Sequence, residues 1–150
     1  MIECKIIEIE PEAQYGETVY TQTVVVKLNN GDELNVFDGT VPVLSSDQIG
    51  DQVQLKVVAR ANSISQSDQK PLVKGGSKST QQYVGDIIEF IKQPSWSDLD
   101  DTIGICAKIP SGTIYVDMEK TQQKTTNHMF DIGDTVCIEA YRTDVVEMMS

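Results

Sequence analysis

The sequence predicts an all-β chain made of two tandem small barrels related by an internal duplication. Three observations lead there. Alternating or β-branched stretches recur between turns that carry Gly, Asn or Asp. No window of ten or more residues keeps apolar positions at i, i+3, i+4 and i+7, the spacing of a buried helix face. Two segments also align without gaps over some thirty residues when one is shifted by 81 positions.

The strands follow in order. Ile2 to Glu10 alternates apolar and charged residues, and Thr21 to Leu28 is β-branched. Glu33 to Phe37 comes just after Asn30-Gly31, a dipeptide suited to the positive φ of a tight hairpin turn. Gln52 to Arg60 places Val53, Leu55 and Val57 on one face and Gln54 and Lys56 on the other, so one face packs and one is wet. The second half offers Tyr83 to Lys92, Thr102 to Ile109, Thr113 to Glu119 and Thr135 to Tyr141, with a short extra strand at Val145 to Met148. Short helical turns are expected only near Val43 to Gln48 and Glu119 to Asn127. Open edges would leave rows of unpaired backbone donors and acceptors, so each strand set is expected to close on itself.

The duplication is read from particular residues. Lys5-Ile6-Ile7-Glu8-Ile9 falls on Asp86-Ile87-Ile88-Glu89-Phe90, Val25-Val26-Lys27 on Cys106-Ala107-Lys108, Gly31 on Gly112 and Tyr15 on Trp96. Further on, Ile49-Gly50-Asp51 and Val53 match Ile132-Gly133-Asp134 and Val136 at a shift of 83, which implies a two-residue insertion in a preceding loop. The units are therefore expected over residues 1–62 and 83–150. Residues 63–82 read as a linker or long loop, because Ser, Gln, Lys and Gly dominate. Lys70, Lys74 and Lys78 make that stretch the only net-positive one, but Pro71 and Gly75-Gly76 preclude a helix that would align them.

Composition narrows the function classes. A chain of 150 residues has no room for a large multidomain enzyme. A net charge of −11 repels phosphate backbones and anionic lipid, so any nucleic-acid site must be local. The same acidity fits a high-salt interior, where charges are screened within a few ångströms. No apolar run reaches the roughly 20 residues that span a bilayer, and MIECKIIEIE lacks the form of an export signal, so a cytoplasmic chain without membrane contact is expected. Cys4, Cys106 and Cys137 are odd in number without C-x-x-C spacing, and His128 is the only histidine, which supports neither a disulfide framework nor a zinc site. Ser97-Asp98-Leu99-Asp100-Asp101 lacks the spacing of a calcium loop. No cofactor and no enzymatic activity are expected, since neither a nucleophile elbow nor a Gly-rich phosphate loop is present.

A long first strand, a hairpin with Gly at its turn and a Gly-Asp-x-Val strand opening resemble the OB-fold, especially its S1-like branch. The residues that carry this are Gly50-Asp51-Gln52-Val53 and Gly133-Asp134-Thr135-Val136. The first unit lacks an evident fifth strand, which leaves two alternatives: that barrel does not close as the pattern requires, or the halves share or exchange a strand. The resemblance implies a ligand face on strands two and three, for single strands or oligosaccharides. The candidate ligand-binding residues on that reading are Tyr15, Tyr20, Lys27, Phe37, Trp96, Lys108 and Tyr115. Tyr15 and Trp96 would be stacking platforms in equivalent loops; the plainer alternative is that they cap the barrel ends. Lys27 and Lys108, with Lys92, Lys56, Arg60 and Arg142, would form a basic stripe, or simply solvated strand faces. The expected function is a non-enzymatic binding module for single-stranded nucleic acid. The alternative is a protein-interaction or assembly module that docks a basic partner or a second copy of the chain.

Overall fold

The computed structural model describes residues 1–39, 42–75, 81–92, 103–118 and 130–149. Within them the chain is all-β, with nine strands, one three-residue 3-10 turn at Ser46–Gln48 and no α-helix. The strands are β1 (Ile2–Tyr15), β2 (Thr18–Leu28), β3 (Glu33–Asp38), β4 (Gln52–Gln66), β5 (Leu72–Gly75), β6 (Gln81–Lys92), β7 (Ile103–Ile109), β8 (Gly112–Met118) and β9 (Thr135–Met149).

They form one mixed sheet in the order β1-β2-β3-β9-β4-β8-β7-β6-β5, with further pairings β1–β4, β1–β8 and β9–β6. Those extra pairings make the sheet return on itself twice. One cycle runs β1-β2-β3-β9-β4 and back to β1; the other runs β6-β7-β8-β4-β9 and back to β6. β4 and β9 belong to both. They pair antiparallel along almost their whole length, from Gln54↔Met149 to Gln66↔Val136. The start of β4 pairs with β1 through Ile2↔Leu55 to Lys5↔Gln52, and the start of β9 pairs with β6 through Gln81↔Ala140 to Asp86↔Thr135. The later part of each strand crosses over. Asp144 of β9 lies parallel to Phe37 of β3, and Val58 to Arg60 of β4 lie parallel to Tyr115 to Asp117 of β8.

The aligned residues make the same bonds in the two halves. In β1–β2 the register steps between Ile6↔Val26 and Glu8↔Val25, and in β6–β7 between Ile87↔Ala107 and Glu89↔Cys106, so Ile7 and Ile88 are both left out of the ladder as bulges. Ile6 N–H donates to Asp51 O at 3.0 Å and Ile87 N–H to Asp134 O at 2.9 Å. Gly50 N–H donates to Ile6 O and Gly133 N–H to Ile87 O, each at 2.7 Å. At these two turns φ is +94° and +97°, which side chains with a Cβ rarely adopt, so glycine is needed at both. One core joins the halves: Ile2, Ile6, Leu34 and Leu55 pack in the same buried cluster as Ile87, Ile114 and Ile138. Full burial of each such side chain contributes about 1.5–3 kcal/mol.

Several strand expectations need correction. Much of the expected linker at 63–82 is strand: β4 continues to Gln66, β5 spans Leu72–Gly75 and β6 begins at Gln81. The polar residues of Ser63 to Gln66 are held by ladder bonds to Val136 through Glu139, so backbone pairing and not apolar burial keeps them extended. The extra strand at Val145 to Met148 is the continuation of β9. β1 runs past Glu10 to Tyr15, because β2 pairs with it up to Tyr15↔Thr18. The expected turn at Val43 to Gln48 shrinks to Ser46–Gln48, and the one at Glu119 to Asn127 lies outside the described residues.

Cys4 lies fully within this core, and burial pushes its thiol from an ordinary 9.0 up to about 12. The folded state thus keeps a proton that the unfolded chain releases. The stabilisation is complete below pH 9.0 and is lost as pH rises through about 12. Denaturant midpoints measured from neutral to strongly alkaline pH should therefore fall, and fall less steeply in Cys4→Ala; equal slopes would contradict this.

Candidate functional site

The β2–β3 hairpin sorts its side chains by alternation. Val24, Val26, Leu34 and Val36 are buried in the core. The intervening pairs Thr23↔Phe37, Val25↔Asn35 and Lys27↔Glu33 share the opposite face. Phe37 is the last of these before Asp38, and its parallel pairing with Asp144 brings it beside β9. There the Arg142 guanidinium carbon stands 4.7 Å from the ring centroid, a cation–π contact worth about 0.5–2 kcal/mol. Gly39 makes room for that ring: a Cβ at this position would lie 2.3 Å from Phe37 Cε1.

Arg142 is also directly opposite Arg60 in the β4–β9 ladder, which would place two like charges side by side. Asp144 resolves the conflict. Its Oδ1 accepts from Arg142 Nε at 2.6 Å, and its Oδ2 accepts from Arg142 Nη2 at 3.1 Å and from Arg60 Nε at 2.9 Å. Arg60 Nη1 donates in addition to Asp117 Oδ2 at 2.5 Å. Burial alone would push the Arg60 guanidinium down, but the hydrogen bonds and charges of Asp144 and Asp117 outweigh it and hold it above its ordinary value. Arg60 is 19% exposed and Arg142 47%, so Arg142 keeps the wetter side.

Two clefts flank the Phe37–Arg142 contact. One, of about 340 Å³, is lined by Glu12, Thr23, Asn35, Phe37, Gln81, Tyr141, Arg142 and Thr143. The other, of about 330 Å³, lies over Gly39, Arg60, Asp144 and Val146 and shares Phe37 and Arg142 with the first. The first rests on a buried polar network. Tyr83 Oη donates to Gln81 Oε1 at 2.7 Å and lies 2.5 Å from Thr143 Oγ1, which donates to Gln81 Oε1 at 3.0 Å. Gln81 Nε2 donates to the Asn35 carbonyl. With its partners satisfied, this network fixes the floor of the cleft. Burial drives the Tyr83 hydroxyl well above its ordinary value, so it stays a proton donor.

The candidates from sequence divide sharply. Phe37 lies in both clefts. Tyr15 and Tyr20 are 80% and 48% exposed, toward the end of the β1–β2 ribbon, and line neither of these two clefts. Tyr15 ends β1 instead of occupying a loop, and its exposure excludes a capping role. Trp96 lies outside the described residues. Lys27 is exposed, paired across strands with Lys5 and Glu33. Lys108 and Tyr115 belong to the β7–β8 hairpin. Tyr115 has Lys56 Nζ 5.1 Å from its ring centroid, and its hydroxyl is raised by burial and by Cys106 and Glu89. Arg60 and Arg142 stand together, apart from the stripe expected with Lys27 and Lys108. Thr23, Gln81 and Thr143 carried no sequence signal, because β-strand threonines and a glutamine in a hydrophilic stretch look like solvated residues.

Among the described residues no group of three or more His, Cys, Asp and Glu could hold a metal ion, and the Ser97 to Asp101 run lies outside them. No described helix is long and apolar enough to cross a membrane. Compared with protein-family models and with curated proteins, the chain matches none.

Proposed function

We propose that the chain is a non-enzymatic binding module of two OB-like barrels, copied from one ancestral unit, each closed by the end of the other's fourth strand. Its ligand is single-stranded nucleic acid, held around Phe37 and Arg142. The matched bulges and turn bonds support the duplication, and the two strand cycles support a five-stranded closure of each unit. The observation that carries the ligand reading is the position of the clefts. The first opens beside Thr23 of β2 and Asn35 and Phe37 of β3, the second and third strands of their unit, where OB-type modules hold oligonucleotides, and the second adjoins it at Phe37.

The charges decide how such a ligand is held. The first cleft offers one guanidinium, and the Glu12 carboxylate at its rim accepts from Thr23 Oγ1 at 2.6 Å. Stacking on Phe37 or on the Arg142 plane, worth about 1–3 kcal/mol per base, must then outweigh phosphate neutralisation. A single neutralised phosphate predicts a shallow salt dependence, with a slope of about −0.7 in log–log form.

Fluorescence anisotropy of a labelled oligothymidylate tests this. Phe37→Ala should weaken binding about 5- to 150-fold, the equivalent of one lost stack, while the far-ultraviolet spectrum stays unchanged. Absence of binding, or equal affinity of wild type and Phe37→Ala, overturns the proposal. A molecular size that grows with protein concentration, without any response to oligonucleotide, favours the assembly module instead.

A further inference from the structure

We infer that only the β2–β3 hairpin binds ligand, and that Asp117 is the residue that closes the corresponding place on the β7–β8 hairpin. This rests on the reading of the chain as a two-unit nucleic-acid binder. The register identifies the corresponding place without any fitting of coordinates. Val25, Val26 and Lys27 fall on Cys106, Ala107 and Lys108, so Thr23 falls on Gly104. The cross-strand partner of Thr23 is Phe37, and that of Gly104 is Asp117. A stacking ring in one half is thus a carboxylate in the other.

The exchange alters what the neighbouring arginine does. Arg60 and Arg142 face each other across the β4–β9 ladder, and each reaches the hairpin on its own side. Arg142 spreads its guanidinium over the Phe37 ring, leaving its plane beside an open cleft. Arg60 is drawn to Asp117 and Asp144 and is less than half as exposed. On the second hairpin a base would find no ring at position 117, and a phosphate would meet a carboxylate first. Tyr115, two residues earlier on β8, stands opposite Cys106, the place that Asn35 takes opposite Val25 in the first half. A chain with two copies of one scaffold therefore has a single working site, with Asp117 the specificity-determining residue.

Native mass spectrometry with an oligothymidylate too short to reach both hairpins reads the stoichiometry directly. The wild type should bind one strand per chain, and Asp117→Phe should bind two. Asp117→Asn, which removes the charge at nearly constant size, should add a second, weaker event. Two equal sites in the wild type overturn the inference while leaving the nucleic-acid reading intact. So does a single site retained by whichever of the two variants folds. A wild type that binds no strand overturns both.

Discussion

Replacing Asp38 by alanine is expected to lower the unfolding free energy by about 3–5 kcal/mol, because it strands two buried donors, Gln22 Nε2 and Leu44 N–H, and the partly buried Val43 N–H. Asp38 is fully buried at the end of β3. Its Oδ2 accepts from Leu44 N–H at 2.9 Å, from Gln22 Nε2 at 2.9 Å and from Val43 N–H at 3.0 Å, while Oδ1 accepts from Val43 N–H at 2.8 Å. Gln22 Nε2 also donates to the Leu44 carbonyl at 2.7 Å, so one carboxyl and one amide tie the chain after β3 to β2. The alanine variant loses both oxygens and leaves a small void. Asp38→Asn separates the two causes. It keeps the volume and one oxygen but turns an amino group toward a donor, and should cost about half as much. Denaturant titration with an unchanged slope would show both losses as shifts of midpoint. A midpoint in Asp38→Ala within error of the wild type would mean that water reaches these donors.

That tether bears on the site, since Phe37 directly precedes Asp38 and its ring rests over Gly39. Loosening the end of β3 should also weaken ligand binding, although Asp38 itself lines neither cleft.

The fold class was legible because β structure writes itself at period two, and both halves keep that period where one face is buried. The register was legible too. Ile6 and Ile87 fall at the same step of their ladders because the short alignment around them includes the bulge residues Ile7 and Ile88. What the sequence left open was how the halves join. The end of β4, Ser63 to Gln66, is polar and exposed apart from Ile64, so little local marks it as strand; its partners on β9 lie 70 or more positions away. The pairing of β3 with the end of β9 was hidden in the same way, at the far end of the chain. Phe37 was recognisable as a ring on the third strand, whereas its meeting with Arg142 depends on the pairing of β3 with β9. Tyr15 reads as a loop residue because it stands beside a glycine, whereas ladder pairing with Thr18 makes it the exposed end of a strand.

Asp144→Ala should be the second severe substitution, at about 3–5 kcal/mol, the usual cost of removing one partner from a largely buried ionic cluster. Asp144 is 9% exposed and is the only carboxylate shown bonded to both arginines. Without it, Arg60 keeps Asp117, Arg142 keeps the Phe37 ring among its described partners, and the two guanidinium groups oppose each other at the crossing of β4 and β9. Their repulsion has a signature that a packing defect lacks. At 1 M salt the screening length is about 3 Å, so part of the lost stability should return on adding sodium chloride. A cavity left by a missing apolar side chain would show no comparable specific recovery; Leu55→Ala, in the same strand as Arg60, supplies that control. If Asp144→Ala and Leu55→Ala respond alike to salt, the carboxylate is not holding two like charges together. If only the former recovers, Asp144 is what holds the two guanidinium groups together where β4 and β9 cross.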